Sequence, residues 1–498
     1  MKIIHLLFSS IFLLNQLIAQ DLSPKYELRG AWIATVANID WPSKRYATSG
    51  EKIKELVEIF DSLQKAHINA VFFQVRTECD ALYESSYEPW SYWLTRNQGE
   101  RPSPYFDPLE FAISEAHSRG IELHAWFNPY RAAKDTGDYE MFYKHISLTH
   151  PEWTLNFGRY KMLDPGNPDV QNYIINVIVD VLTRYDIDGI HFDDYFYPYS
   201  PKITNEDSLT FVKFNRGFTD IDDWRRDNIN SLIKRINRII KEYKPHVKFG
   251  VSPFGIVENK YAGTDGFNSY SIIYCDPLTW IKEKSVDYVI PQLYWEIDHP
   301  KAPYSKLLPW WSSVIDDRHL YIGLFSSRFM NERELSKGFE IGEQIKMNRL
   351  TENVLGSVFF SGKSIFKNQN GFLDSLASNL FKYPSLTPPM KWLDSIPPNP
   401  PQKITATKEK SRIILEWSEP EINSQNETAY GYVVYRFVNE KEINMNDGSK
   451  IAKIFIPPSN KFIDNITSEI IGEVTYVITS IDRMRNESLG EEIKVVIK

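Results

Sequence analysis

Eight apolar runs of strand length recur before residue 363, and amphipathic stretches fill several of the gaps between them. The runs are 29–35 (RGAWIAT), 69–76 (NAVFFQVR), 122–130 (ELHAWFNPY), 189–195 (GIHFDDY), 248–255 (KFGVSPFG), 288–296 (YVIPQLYWE), 320–327 (LYIGLFSS) and 356–362 (GSVFFSG). In 51–67, Ile53, Leu56, Val57, Phe60 and Leu63 recur at helical spacing. The stretch 107–119 begins Asp-Pro and is followed by Gly120, a start and a stop for a helix. Asn167 and Pro168 open another that runs to about Tyr185, and 222–243 carries Ile229, Leu232, Ile233, Ile236 and Ile240 on one face. Strand and helix alternating in this way predict an α/β fold, a (β/α)8 TIM barrel.

Long connections at 36–50, 81–108, 132–166 and 197–220 follow the first four runs, on the face where barrel enzymes build their sites. Successive side chains of a strand point to opposite faces. In the fourth run Ile190 and Phe192 then face the helices, while His191 and Asp193 face the barrel axis. Asp194 has the outward parity, at the rim. The same rule turns Gln74 and Arg76 of the second run inward. It does likewise for His124, Trp126 and Asn128 of the third, with Tyr130 beyond them, and for Gln292, Tyr294 and Glu296 of the sixth. A carboxylate near an apolar core is costly unless paired or used, so Asp193 is read as functional.

Carboxylates among aromatics at a barrel mouth suit glycoside hydrolysis, which needs one acid for the leaving oxygen and a second carboxylate as nucleophile or base. Asp193, Asp194 and Glu296 are the catalytic candidates. Strand alternation points Asp193 and Asp194 apart, so one of them with Glu296 is the preferred pair. Gln74, Arg76, His124, Asn128, Tyr130, His191, Tyr195, Gln292 and Tyr294 are expected to bind or orient a sugar. Trp126, Trp295 and the Trp90/Trp93 loop offer stacking platforms. A glycan-binding barrel without catalysis is the alternative; acids all locked in ion pairs are its signature.

The segments ELRGAWIATVANIDWPS (27–43), NAVFFQVR, HAWFNPYR (124–131), LDPGNPDV (163–170), DGIHFDDYFYP (188–198) and PQLYW (291–295) resemble the bacterial glycosyl-hydrolase-like ten family over about 26–381. The resemblance implies a TIM-barrel glycosidase, often exported, linked to cell-envelope glycans, including peptidoglycan strands stripped of their stem peptides. The frame of 188–195 is also similar to the DGxDxDxE of chitinase-type barrels. There His191 and Tyr195 replace the first inner Asp and the final Glu, so chitinase chemistry in that form is not expected. Retaining barrels with a Glu nucleophile after strand seven find only Glu332 and Glu334 here.

The rest of the chain adds context. Residues 1–20 (MKIIHLLFSSIFLLNQLIAQ) read as a secretory signal peptide cleaved near Ala19, without a Cys for lipid anchoring. The barrel domain is placed at 26–390. A proline-rich linker follows at 391–402 (KWLDSIPPNPPQ), and 403–498 resembles a fibronectin type III sandwich with Trp417 in its core. Net charge is −8, so no basic stripe recommends a nucleic acid as partner. A polysaccharide or oligosaccharide is the expected partner. With no HExxH and no paired CxxC, no metal and no cofactor are expected. Cys79 and Cys275 are free or form one optional bridge.

Overall fold

A computed structural model describes residues 23–330, 338–425, 427–456, 458–467 and 470–497. The stretch 1–20 with Ala19, read from sequence as a signal peptide, and Glu332 and Glu334 lie outside the described residues. The chain divides into two units, Leu28–Leu373 and a second formed from Met1–Glu27 with Asp374–Lys498.

The first unit is a closed, all-parallel eight-stranded barrel. Its strands are β1 (Leu28–Ile33), β2 (Ala70–Arg76), β3 (Glu122–Phe127), β4 (Gly189–Phe192), β5 (Lys248–Val251), β6 (Tyr288–Val289), β7 (His319–Leu324) and β8 (Val354–Phe359). Each strand pairs with its neighbours in sequence, and β8 closes on β1. Sequence-coded caps start the outer helices. Thr48 and Glu51 form a capping box on Ser49–Lys65. Asp107 and Asn167 accept backbone N–H groups ahead of Pro108 and Pro168, and Asp220 caps Ile221–Tyr243. Between β3 and β4, three short strands, Arg131–Ala133, Thr154–Phe157 and Tyr160–Leu163, form a small antiparallel sheet.

The barrel interior is filled in layers. At the start of the strands Lys248 pairs with Glu122 at 2.6 Å. Above them the Tyr288 hydroxyl lies 2.9 Å from His124 Nδ1 and 3.3 Å from His191 Nδ1. The Trp32 indole N–H donates to His191 Nε2 at 3.1 Å. Burial and the neighbouring His124 hold His191 well below the usual imidazole range, so it stays neutral. Two glycines make room for these rings. A Cβ at Gly189 would lie 2.2 Å from the His124 ring, and one at Gly250 would lie 2.1 Å from the Tyr288 ring. His124 and His191, read from sequence as sugar ligands, are therefore packing and hydrogen-bonding partners beneath the mouth.

The second unit contains two antiparallel sheets. One joins β9 (Gln402–Glu409), β10 (Arg412–Ser418) and β13 (Lys461–Asn465); the other joins β11 (Gly431–Val438), β12 (Ile451–Phe455), β14 (Gly472–Ile481) and β15 (Glu491–Ile497). The sheets fit the fibronectin type III-like reading, and Trp417 is buried with its ring centroid 5.4 Å from that of Tyr432. Residues between Asp374 and Lys391, read from sequence as the end of the barrel domain, cluster with this unit. Leu386 pairs with Tyr26 and packs on Val433, Tyr435 and Phe437. Cys79 and Cys275 are free, buried thiols. Among the described residues no helix is long and apolar enough to cross a membrane.

Candidate active site

The C-terminal ends of the barrel strands enclose a cleft of ≈ 620 Å³, its open mouth included. Asp193 and Asp194 lie in it together with Trp32, Gln74, Trp126, Arg131, Tyr195, Ser252, Gln292, Tyr294 and Phe360. The strand carrying the two acids ends at Phe192. Alternation ends there too, which is why Asp194 joins Asp193 in the cleft and is not turned to the outer side. The two are only 4% and 2% exposed.

A chain of amides holds Asp193. The Gln74 Oε1 accepts the backbone N–H groups of Thr35 and Val36, both at 2.9 Å, and its Nε2 donates to Asn128 Oδ1 at 2.6 Å. Arg131 Nη2 donates to the same oxygen at 2.8 Å. Two donors on one amide oxygen leave the Asn128 Nδ2 to donate to Asp193 Oδ2. Trp126 Nε1 donates to that carboxyl oxygen at 3.0 Å. Asp194 accepts from the Tyr199 hydroxyl and has a hydrogen bond with Gln292. Burial pushes Asp193 up to about 7, opposed by Arg131 and reinforced by the Asp194 charge. Burial pushes Asp194 up to about 6, opposed by its hydrogen bonds to Tyr199 and Gln292. The Asp194 charge acts on Asp193, so the two titrations are linked, and between about pH 6 and 7 the two carboxyls together hold about one proton.

Arg76, Glu296, Trp295, Tyr130 and Trp93, all selected from the sequence, lie elsewhere. The register of β2 against β3 shifts between Gln74 and Arg76. Arg76 therefore leaves the inward series and forms a buried ion pair with Glu88 at 2.7 Å. Strand β6 stops at Val289, and a single bridge residue, Gln292, continues its pairing. By Glu296 the chain has left the barrel. Its carboxylate pairs with Arg328 at 3.3 Å in a separate hollow, which Trp295 also lines. Tyr130 is fully buried outside the cleft. Trp93 is buried as well, donating to Glu78 at 2.7 Å. Glu296→Gln is accordingly expected to leave kcat on a glycan substrate near wild type; a loss of about 100-fold or more would return Glu296 to the chemistry.

The sequence reading missed Arg131, Trp32, Ser252 and Phe360. Arg131 sits at the end of HAWFNPYR, its guanidinium 5.0 Å from the Tyr195 ring centroid. Strand alternation, applied to β1, puts Trp32 on the inward face with Gly30. Ser252 and Phe360 each follow a strand end by one residue, where no periodicity marks them.

The family model described as glycosyl hydrolase-like 10 matches residues 27–337. Glycosyl hydrolase YngK of Bacillus subtilis (strain 168) is 40% identical over 478 residues, covering 93% of this chain and 92% of the relative. Glycosyl hydrolase DigH of Escherichia coli (strain K12) is 34% identical over 372 residues, covering 69% of this chain and 84% of the relative. The match spans barrel strands β1 to β7 and every residue placed around the aspartate pair except Phe360, which follows β8. With its barrel, its buried carboxyl pair and these relatives, the chain belongs to the glycosyl hydrolase-like 10 family and is a glycoside hydrolase.

Proposed function

We propose that the protein is an exported hydrolase of polysaccharide, cleaving the glycan strands of peptidoglycan from which stem peptides have been removed, with Asp193 and Asp194 as the catalytic carboxyls. The observation that carries this reading is the pair itself. Two buried carboxyls with raised pKa values meet in an open cleft, and hydrogen bonds rather than ion pairs hold them. A binding barrel has no use for carboxyls poised to exchange a proton, whereas glycoside hydrolysis requires one protonated and one ionised. Tyr195 and Tyr294 leave ring surface in the cleft on which a pyranose can stack, beside the buried rings of Trp32 and Trp126. The leader-like stretch at 1–20 supports export, where such a substrate lies.

The test is digestion of a glycan panel that includes denuded peptidoglycan strands, read by mass spectrometry. New reducing ends on the denuded strands are the expected result; none on any glycan would sink the enzymatic reading, and none on these strands the substrate. The pH profile follows from the pair. The form that works carries one proton, so kcat/KM falls as pH drops through about 6 and again as pH rises through about 7. Steady-state rates from pH 4.5 to 9 check it; a rate still climbing at pH 9 contradicts it.

A further inference from the structure

A glycosidic carbon is displaced in line, so the attacking group stands on the face opposite the leaving oxygen. Asp193 and Asp194 are consecutive residues, with Cα atoms about 3.8 Å apart, and both reach the cleft from the end of β4. They approach a bound sugar from one wall. Among the described residues, the rest of the lining brings aromatic rings, amides, the Ser252 hydroxyl, the aliphatic Ala34, Val36 and Ile39, and the Arg131 guanidinium, but no carboxyl. Nearby acids are committed elsewhere. Asp40 accepts from Ala34 N–H and the Ser361 hydroxyl, Glu78 accepts from the Trp93 indole, and Glu296 pairs with Arg328. Among the described residues, no third carboxyl lines the cleft to serve as nucleophile.

The two aspartates also differ in what their partners permit. Asp193 receives only N–H donors, from Trp126, Asn128 and the backbone of Tyr195, with the Arg131 charge nearby. Such a set suits a carboxylate and offers nothing to accept a carboxyl proton. Asp194 is held by a hydroxyl, Tyr199, and an amide, Gln292, both able to accept as well as donate. In the free protein Asp193 holds its proton to the higher pH, about 7 against about 6. One more N–H donated to Asp193 by a bound ligand favours its carboxylate and moves the shared proton to Asp194, whose partners can turn to accept it. A carboxylate at Asp193, beside the flat Trp126 ring, fits a group with one N–H to give and a methyl to bury.

We propose that the cleft takes a 2-acetamido-2-deoxy sugar at the point of cleavage and that the sugar's own acetamido oxygen is the nucleophile, with Asp193 holding the acetamide N–H and Asp194 acting as acid and base. This rests on the hydrolase reading above. The acetamido oxygen bonds to C1 as the bond from C1 to the leaving sugar oxygen breaks, and Asp194 gives its proton to that oxygen. The Asp193 carboxylate balances the positive charge that develops on the amide. Water then adds to C1 as the bond to the acetamido oxygen breaks, and its proton returns to Asp194. The product keeps its anomeric configuration. Sequence comparison argued against such chemistry because Tyr195 stands where chitinase-type barrels have their acid; the structure brings Asp194 to that task from the neighbouring position.

Denuded glycan strands, de-N-acetylated and then re-acylated with acetyl, fluoroacetyl, difluoroacetyl or trifluoroacetyl groups, test the inference on the wild-type protein. Each fluorine weakens the carbonyl as a nucleophile while barely changing its size. The expected result is a stepwise fall in kcat, to about 100-fold or more below the acetyl substrate, with KM little moved and retention of configuration by NMR of fresh products. Equal kcat across the series, or inversion, overturns it. So does a collapse of kcat at unchanged Tm in the double variant Glu332→Gln/Glu334→Gln, which would reveal a protein nucleophile. Cleavage of glycans with any of those results defeats this inference alone. Absence of cleavage on every glycan defeats the hydrolase reading and this inference with it.

Discussion

Asp193→Asn is expected to lower kcat by about 10²- to 10⁴-fold on any glycan the wild type cleaves, with the barrel still folded. The substitution keeps the shape of the side chain and removes its charge. Asn offers one oxygen to the Trp126 and Asn128 donors, which converge on a single carboxyl oxygen, but no negative charge for the transition state. Stability provides a second readout whose sign follows from burial. In the folded protein the Asp193 carboxyl is pushed up to about 7 from an ordinary 3.8. The folded state thus binds more protons than the unfolded chain in that window. The associated stability is complete below the ordinary carboxylate range and is lost as pH rises through about 7. Asn cannot ionise and loses nothing there. The Tm difference, variant minus wild type, should therefore be larger at pH 8 than at pH 5. A variant with full activity ends the catalytic assignment; one whose relative Tm falls between pH 5 and pH 8 ends the electrostatic account.

Alternation along the strands located Gln74, Trp126 and Tyr294, because each follows regular pairing or a bridge that keeps its register. The barrel was legible for the same reason: its apolar beat is set by burial, which every strand and helix shares. The site was legible only as far as strand geometry lasts. Asp194 lies two residues past the end of β4, where facing is decided by the turn and by Tyr199. Glu296 was selected on the parity of a long run, yet only Tyr288 and Val289 of that run are regular strand. Both histidines have the inward parity but sit too deep, a distinction of height along the barrel axis that a period of two does not encode. Arg131 was hidden because its value depends on Asn128 and Asp193, brought together by β3 and β4 pairing side by side.

Arg76 shows the largest distance between sequence expectation and structure, and Arg76→Ala should have the largest effect on stability. The guanidinium donates to both Glu88 oxygens and to the carbonyls of Asn128 and Pro129. The side chains are 1% and 0% exposed, so water cannot replace the lost partner. Burial already raises the Glu88 carboxyl and Arg76 opposes that rise. Without Arg76 the folded protein must hold a buried, uncompensated carboxylate or a proton taken up to neutralise it. Breaking a buried pair from one side costs about 3–5 kcal/mol, a fall of several degrees in Tm for a domain of this size. The penalty should shrink as pH falls, because protonating Glu88 removes the unpaired charge. Arg76→Met combined with Glu88→Leu removes both charges and fills the space with apolar atoms, so it should recover most of the loss. Thermal unfolding of the single and double variants separates the two roles considered for this residue. A sugar ligand would raise KM with Tm unmoved, whereas a fall in Tm rescued by the second substitution marks Arg76 as a prop beneath the loop that carries Asn128.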